Sequence, residues 1–312
     1  MDTIAVLLRA PEDLVLSRLS LTPPGADDVV VAVEWSGIST GTERLLWSGR
    51  MPHFPGMGYP LVPGYESVGR VIAAGPQATL REGERVFVPG AKCFGDVRGL
   101  FGGAAARLVV PAKRAIPLGP LEGPEGVLLA LAATAWHAID PKARALPDLI
   151  VGHGVLGRLL ARIAVLHGGT PVVWEKDPSR REGAAGYAVI DPDADARRDY
   201  RSICDVSGDA GILDALVQRL SPGGEIVLAG FYSDRLSFSF PPAFMREARF
   251  RIAAEWEEAD LQATRDAIAD GRLDLDGLVT HRQAAECAPQ AYAQAFTDPS
   301  CLKMVLDWRD CA

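Results

Sequence analysis

Cations are in deficit in this chain: 32 Lys and Arg against 40 Asp and Glu leave a formal net charge of −8 at pH 7. No basic surplus is available to neutralise phosphates, which argues against a nucleic-acid partner. The local pairs Arg180-Arg181 and Arg197-Arg198 read as solvated faces. Cysteine is scarce as well. The five cysteines, Cys93, Cys204, Cys287, Cys301 and Cys311, are odd in number, scattered, and contain no C-x-x-C pair. Neither a disulfide framework nor a four-cysteine zinc lobe is therefore expected. Long apolar runs are missing too. The longest, residues 127–136, falls well short of the roughly 20 residues a membrane helix needs. Residues 1–8 read as the start of a strand and lack the charged, apolar and small-residue regions of a leader. A cytoplasmic protein with no integral membrane segment is expected.

What is present is enough chain for two cores: 312 residues, 48% of them in the hydrophobic set and 23% charged, an ordinary soluble composition. The most informative stretch is residues 149–160. An apolar strand runs into Gly152-His153-Gly154-Val155-Leu156-Gly157, which opens an apolar-periodic helix. Further on, Val172-Val173-Trp174 ends at Glu175. This is the order of parts a dinucleotide requires. The first glycine permits the tight turn, the second lets backbone approach a pyrophosphate, and the third lets helix and strand pack closely. The helix N-terminus adds unpaired N–H groups, and the acid accepts from ribose hydroxyls.

Two textures divide the chain. Residues 1–118 are rich in Gly, Pro and short β-prone runs, such as residues 29–35, 67–73 and 84–88, and read as an all-β domain. In residues 119–276 strands alternate with helices, the sequence form of a doubly wound parallel sheet. Helices are expected near 123–139, 211–220 and 258–271, with strands at 148–151, 172–174, 188–190, 203–206 and 225–229. Residues 277–312 hold one more helix (288–296) and one more strand (303–308).

The ordered motifs are Gly37-Ile38-Ser39-Thr40-Gly41-Thr42-Glu43, Pro63-Gly64-Tyr65-Glu66-Ser67-Val68-Gly69-Arg70-Val71 and Gly83-Glu84-Arg85-Val86, then Ala133-Thr134-Ala135-Trp136-His137-Ala138, the glycine fingerprint, Asp205-Val206-Ser207-Gly208 and Pro222-Gly223-Gly224. Together they resemble the medium-chain dehydrogenase/reductase superfamily, the alcohol-dehydrogenase-like enzymes. The resemblance implies an α/β chain made of a GroES-like β-rich catalytic domain, a Rossmann domain, and a C-terminal segment returning to the first. It also implies that Gly152, Gly154, Val155, Leu156 and Gly157 bear on the cofactor pyrophosphate, Glu175 and Lys176 on the ribose side, Thr134 on the nicotinamide, and Lys303 on the phosphates. Glu175 favours NAD, since a carboxylate there repels a 2′-phosphate; Lys176 and Arg180 pull toward NADP.

The departures carry more chemistry. Zinc-bearing members place a Cys where Ser39 stands, a His where Tyr65 stands, and a Cys or acid where Ala130 stands. Catalytic zinc wants three thiolate, imidazole or carboxylate ligands, so no zinc is expected. Proton handling then falls to side chains: Ser39, Tyr65, Glu66, Thr42 and His53. Ser39 and Tyr65 are expected to hold the substrate oxygen near the nicotinamide, with Glu66 or His53 relaying the proton.

At a finer level, residues 35–43 and the loop at 47–60 resemble one narrow branch, the dehydrogenases of bacteriochlorophyll biosynthesis. These oxidise a 3-(1-hydroxyethyl) group on a tetrapyrrole to 3-acetyl. The loop, with Trp35, Phe94 and Phe101, suggests a wide aromatic pocket. Two rivals stay open: an NADPH-dependent quinone or enone reductase of the same superfamily, and a non-catalytic NAD-binding sensor. The resemblance also implies a homodimer paired through residues 225–229 and 237–240.

Overall fold

The computed structural model describes residues 1–53, 55–139 and 145–311. In chain order the first strands are β1 (Asp2–Ala10), β2 (Asp13–Ser20), β3 (Asp28–Ile38), β4 (Leu61–Val62), β5 (Ser67–Ala74), β6 (Arg85–Val88), β7 (Arg98–Gly99), β8 (Arg107–Pro111) and β9 (Ile116–Pro117). There follow β10 (Leu149–Val151), β11 (Val172–Trp174), β12 (Ala188–Ile190), β13 (Tyr200–Asp205), β14 (Leu220–Leu228), β15 (Arg249–Ile252), β16 (His281–Ala284) and β17 (Met304–Asp307). The α-helices are α1 (Thr42–Trp47), α2 (Leu129–Ala138), α3 (Val155–Leu166), α4 (Leu213–Arg219), α5 (Phe240–Met245), α6 (Glu258–Ala269) and α7 (Ala288–Thr297).

Two compact units result, Met1–Ala130 with Asp276–Ala312, and Leu131–Leu275. The segment 119–130, expected to open the second domain, goes with the first. The physical reason is packing: a Cβ on Gly126 would sit 3.0 Å from Val68 and 3.2 Å from Leu118, so this stretch lies tight against strands of the first unit. The expected helix at 123–139 accordingly starts as a 3-10 turn, Pro124–Leu128, before α2.

In the first unit, β3 is the central strand, with β5, β8 and β17 all antiparallel to it. Its valines, Val29, Val30, Val31 and Val33, are all buried, and since successive side chains point to opposite faces, both faces of the strand are covered. The core gathers Val6, Leu8, Val31, Leu61 and Leu108 with Tyr292 and Phe296 of α7. Each such aliphatic side chain contributes roughly 1.5–3 kcal/mol by leaving water. Register places the ends of three strands together: Ser36 lies opposite Ser67 on β5, and Ile38 lies opposite Met304 on β17. Ser39, Tyr65, Glu66 and Lys303 all flank those pairs.

The second unit is a parallel sheet in the order β12-β11-β10-β13-β14-β15. Leu149, Ile150 and Val151 of β10 are all buried, as a strand covered on both faces must be. Chain order reverses direction across β10, with β11 on one side and β13 on the other. Ligands bind such sheets at the carboxyl ends beside that switch point. One expected strand is absent: residues 237–239 take no strand conformation, and Phe240 opens α5. Pro241 and Pro242 lack the N–H a ladder needs and preset φ for a first helical turn. The edge strand is β15 instead.

Candidate active site and cofactor cradle

In the first unit the chain leaves β3 at Ile38, turns through Ser39, and enters α1 at Thr42. The Tyr65 hydroxyl donates to Ser39 Oγ at 2.8 Å and also hydrogen-bonds the Thr42 side chain. Three residues singled out from sequence, Ser39, Thr42 and Tyr65, thus form one cluster of hydroxyls. Burial, and then the charge of Glu66, hold the Tyr65 phenol well above its ordinary pKa, so it acts as a neutral hydrogen-bonding group. Phe101 meets its ring edge-on, with centroids 5.5 Å apart.

Glu66 is fully buried. Its Oε2 accepts from Lys303 Nζ at 2.6 Å, while its Oε1 has no partner among the described residues. Burial pushes this carboxyl up, and the Lys303 ammonium pulls it part-way back. Gly37 makes room for it: a Cβ there would stand 2.2 Å from Glu66 Oε2. Lys303, expected at the cofactor phosphates, is instead buried, with Nζ also donating to Ile38 O at 3.3 Å. Its cation is committed to Glu66, because β17 pairs with β3 and brings the residue before Met304 beside Ile38.

Sequence reasoning overlooked Glu43 as a site residue. It is fully buried, and its Oε1 accepts the Ser39 backbone N–H at 2.9 Å. Its Oε2 accepts the Tyr292 hydroxyl at 2.6 Å. Burial raises this carboxyl from 4.5 to about 7, against the pull of those two donors. The four-residue spacing of Ser39 and Glu43 was a readable sign of a local side-chain-to-backbone bond; Tyr292 left no such sign.

His53 stands apart. It is exposed in its loop and makes no hydrogen bond or ion pair among the described residues. Phe54 lies outside the described residues. Trp35 and Phe94, expected to line a pocket, are buried. Trp35 is capped by the guanidinium groups of Arg309 and Arg282, and Phe94 belongs to the core. Met51, Met57, Tyr59 and Phe101 stay partly exposed against that core.

These positions make a poor zinc set. Ser39 and Tyr65 offer neutral hydroxyls bonded to each other, Ala130 offers no side-chain donor, and Glu66 already faces an ammonium. Among the described residues no three His, Cys, Asp or Glu side chains cluster to hold a metal.

In the second unit the fingerprint loop turns at Gly152, φ +104°, and α3 begins after Gly154. The Gly154 N-cap has no side-chain hydrogen bond, and a Cβ there would meet nothing within 4 Å. The space before the helix N-terminus is therefore open, and its amides are available to an anion. A Cβ on Gly157 would lie 1.9 Å from Gly152 O; α3 packs that close to the turn. Val155 is buried and Leu156 half-buried at the helix start. Glu175, at the end of β11, accepts from His153 N at 3.1 Å and from Asp177 N at 2.9 Å. Each of its oxygens keeps a lone pair for a further donor. His153 locks the loop: Nδ1 contacts Arg180 O at 2.6 Å, and Nε2 contacts the Tyr187 hydroxyl at 2.9 Å. Burial lowers its pKa to about 4, so the ring is neutral, donating to the carbonyl and accepting from the tyrosine. Lys176 is exposed, 4.0 Å from Asp209. Thr134 is half-buried on α2. An uncapped helix start with an acid beside it fits a dinucleotide.

Residues 25–120 match the model of the alcohol dehydrogenase GroES-like domain. Over 99% of both chains the sequence is 59% identical to 2-desacetyl-2-hydroxyethyl bacteriochlorophyllide A dehydrogenase of Rhodobacter capsulatus. The chain belongs to the medium-chain dehydrogenases, in the branch of the bacteriochlorophyllide dehydrogenases. The protein of the same name from Cereibacter sphaeroides is 58% identical, again over 99% of both chains. In fold the chain is similar to an alcohol dehydrogenase of Escherichia coli CFT073 in complex with NADH. That match has a TM-score of 0.82 and 21% identity over 98% of this chain and 99% of the other. No helix among the described residues is long and apolar enough to cross a membrane.

Proposed function

We propose that this dehydrogenase oxidises the 3-(1-hydroxyethyl) group of a bacteriochlorophyllide to 3-acetyl, with NAD as acceptor and no catalytic zinc. The substrate follows from the two full-length relatives. The observation that carries the chemistry is the Tyr65 hydroxyl on Ser39 Oγ at 2.8 Å, at the positions where zinc-bearing members keep metal ligands.

NAD, held by the fingerprint residues Gly152, Gly154 and Gly157 with Glu175, would supply the acceptor for the hydride of the carbinol carbon. The rest falls to the chain. The substrate hydroxyl donates to Ser39 Oγ, and the Ser39 and Tyr65 hydroxyls, free to rotate, turn their hydrogens along the pair away from the substrate. As the carbon–oxygen double bond forms, the substrate hydroxyl proton passes into the Ser39–Tyr65 pair. Glu66 Oε1, buried and without a partner among the described residues, is the acceptor that draws the proton onward; Lys303 keeps its bond to Ile38 O when the carboxylate it faces becomes neutral. His53 has no part in the relay. Hydroxyls in a dry setting polarise the alcohol by orientation and hydrogen bonding, as general acid–base groups do.

In the second unit the fingerprint amides bind the pyrophosphate and Glu175 takes the ribose hydroxyls, which favours NAD over NADP. Pairing of two copies is part of the same proposal. β15 bonds only β14 among the described strands, so its outer edge is unpaired. Ile252 at the end of β15 is 77% exposed, and Met245 (77% exposed) and Phe244 (65%) of α5 line an apolar depression of about 490 Å3 with Phe250 of β15. Patches of this kind mark association surfaces. The cysteines are all free, in keeping with a cytoplasmic setting.

Purified protein, NAD and a hydroxyethyl bacteriochlorophyllide test the reaction by absorbance, because the new carbonyl conjugates with the ring and shifts the pigment spectrum. Stoichiometric zinc whose removal abolishes turnover would overturn the metal-free reading. Reduction of an alkene with NADPH, and no alcohol oxidation, would overturn the reaction itself.

A further inference from the structure

We infer that Glu43 is a positioning residue for the oxidation: its carboxylate ties Ser39 to Tyr292 of α7 and so sets where the Ser39 hydroxyl points. The inference deepens the proposed function and rests on Ser39 handling the alcohol proton.

Glu43 holds the Ser39 backbone at both ends. Its Oε1 accepts the Ser39 N–H at 2.9 Å, and its own N–H donates to Ser39 O at 3.1 Å. The peptide groups on either side of the Ser39 Cα are thereby closed into one ring. The second oxygen accepts from Tyr292 at 2.6 Å, a residue of the C-terminal segment buried in the core. The Tyr292 ring meets Phe296 edge-on at 5.8 Å, and Phe296 meets Trp47 of α1 at 5.6 Å. One face of α7 therefore clamps both ends of α1. With its backbone fixed by Glu43 and its Oγ engaged by Tyr65, Ser39 is held from two directions.

A fully buried carboxylate is an expensive way to make a turn. The negative Glu66 adds to the cost, and Lys303 offsets part of it. An apolar side chain would fill the same space without that penalty. What it lacks is an acceptor for the Ser39 N–H and the Tyr292 O–H. Neither carboxylate oxygen of Glu43 bonds the Ser39 or Tyr65 hydroxyl, so Glu43 acts through Ser39 and touches no reacting atom.

The test is a double-mutant cycle on pigment oxidation with NAD, with NAD binding followed separately by fluorescence. Glu43→Ala is expected to lower kcat about 10- to 100-fold, as misorientation of a reacting group does, with KM and NAD affinity within about twofold of wild type. Added to Ser39→Ala, it should cost nothing further, because the residue it acts through is already gone. Glu43→Gln keeps an acceptor for the Ser39 N–H and should restore kcat to within about threefold. If Glu43→Ala does not fold, Tyr292→Phe carries the cycle: its loss of kcat must vanish in the Ser39→Ala background. Losses that multiply with Ser39→Ala, or an unchanged kcat in the single variants, would overturn the inference while leaving Ser39 in place. A Ser39→Ala enzyme with full kcat would instead sink the proton-handling reading, and this inference with it.

Discussion

Tyr65 bonds two hydroxyls, Ser39 and Thr42, and its own proton is held more tightly than that of a free phenol because burial and Glu66 both oppose a phenolate. Tyr65→Phe keeps the ring against Phe101 and removes only that hydrogen-bonding oxygen. We expect kcat to fall about 10- to 100-fold with little change in melting temperature; steady-state pigment oxidation checks it, and an undiminished kcat would remove Tyr65 from the relay. Glu43 yields a second residue-scale prediction, on stability. Its folded-state pKa is raised from 4.5 to about 7, so the native chain holds this proton more tightly than the unfolded chain does. The stability this adds is complete below the unfolded value and is lost as pH rises through the folded one. Between pH 4.5 and pH 7 the wild type should therefore lose about 3 kcal/mol relative to Glu43→Gln. Urea midpoints of the two proteins across that range measure the difference; parallel curves would refute it. Ser39, Thr42, Tyr65 and Glu66 could be named from the sequence because each falls in a motif. Glu43 sat in the same motif, yet its importance depends on Tyr292, a partner on another element.

At the scale of elements, the start of α3 and the turn before it work as one piece. Gly157→Ala would place a methyl 1.9 Å from Gly152 O, and neither backbone can yield without opening the loop that His153 and Glu175 hold. We expect NAD binding to weaken roughly tenfold or more, a loss of about 1.4 kcal/mol or more, by fluorescence titration. Binding at wild-type affinity would show that close packing at Gly157 does not shape the cradle. The strand–glycine loop–helix unit was legible because its signals are local: apolar periodicity, glycine spacing and a distal acid. The stretch 237–240 misled. Its alternating Phe and Ser resemble a strand, but the prolines that follow turn the chain into α5. Lys303 was also placed by motif rather than by contact. Strand pairing between β17 and β3 decides which charge it meets, and pairing over such a separation is invisible in a linear reading.

For the whole molecule, the unpaired edge of β15 and the apolar residues of α5 predict self-association. Ile252→Lys puts a charge on a side chain that is 77% exposed and should convert a dimer to monomer in analytical ultracentrifugation while leaving NAD binding intact. A wild type that sediments as a monomer would reject the pairing. The division into two units was legible as a change of texture, but its border was not. The stretch 119–130 precedes the helices of the second half and still packs with the β-rich unit, because contact rather than position in the chain decides membership. By itself the sequence determined what is written in short periods: the β-rich and βα-alternating halves, the dinucleotide fingerprint, the family, and the replacement of Cys, His and a third ligand by Ser39, Tyr65 and Ala130. The tertiary structure alone decided what each buried carboxyl faces: the Lys303 ammonium for Glu66, and the Tyr292 hydroxyl for Glu43. Local propensity acts over a few residues of chain, whereas the energy of a buried charge depends on whatever the fold brings within about 3 Å of it.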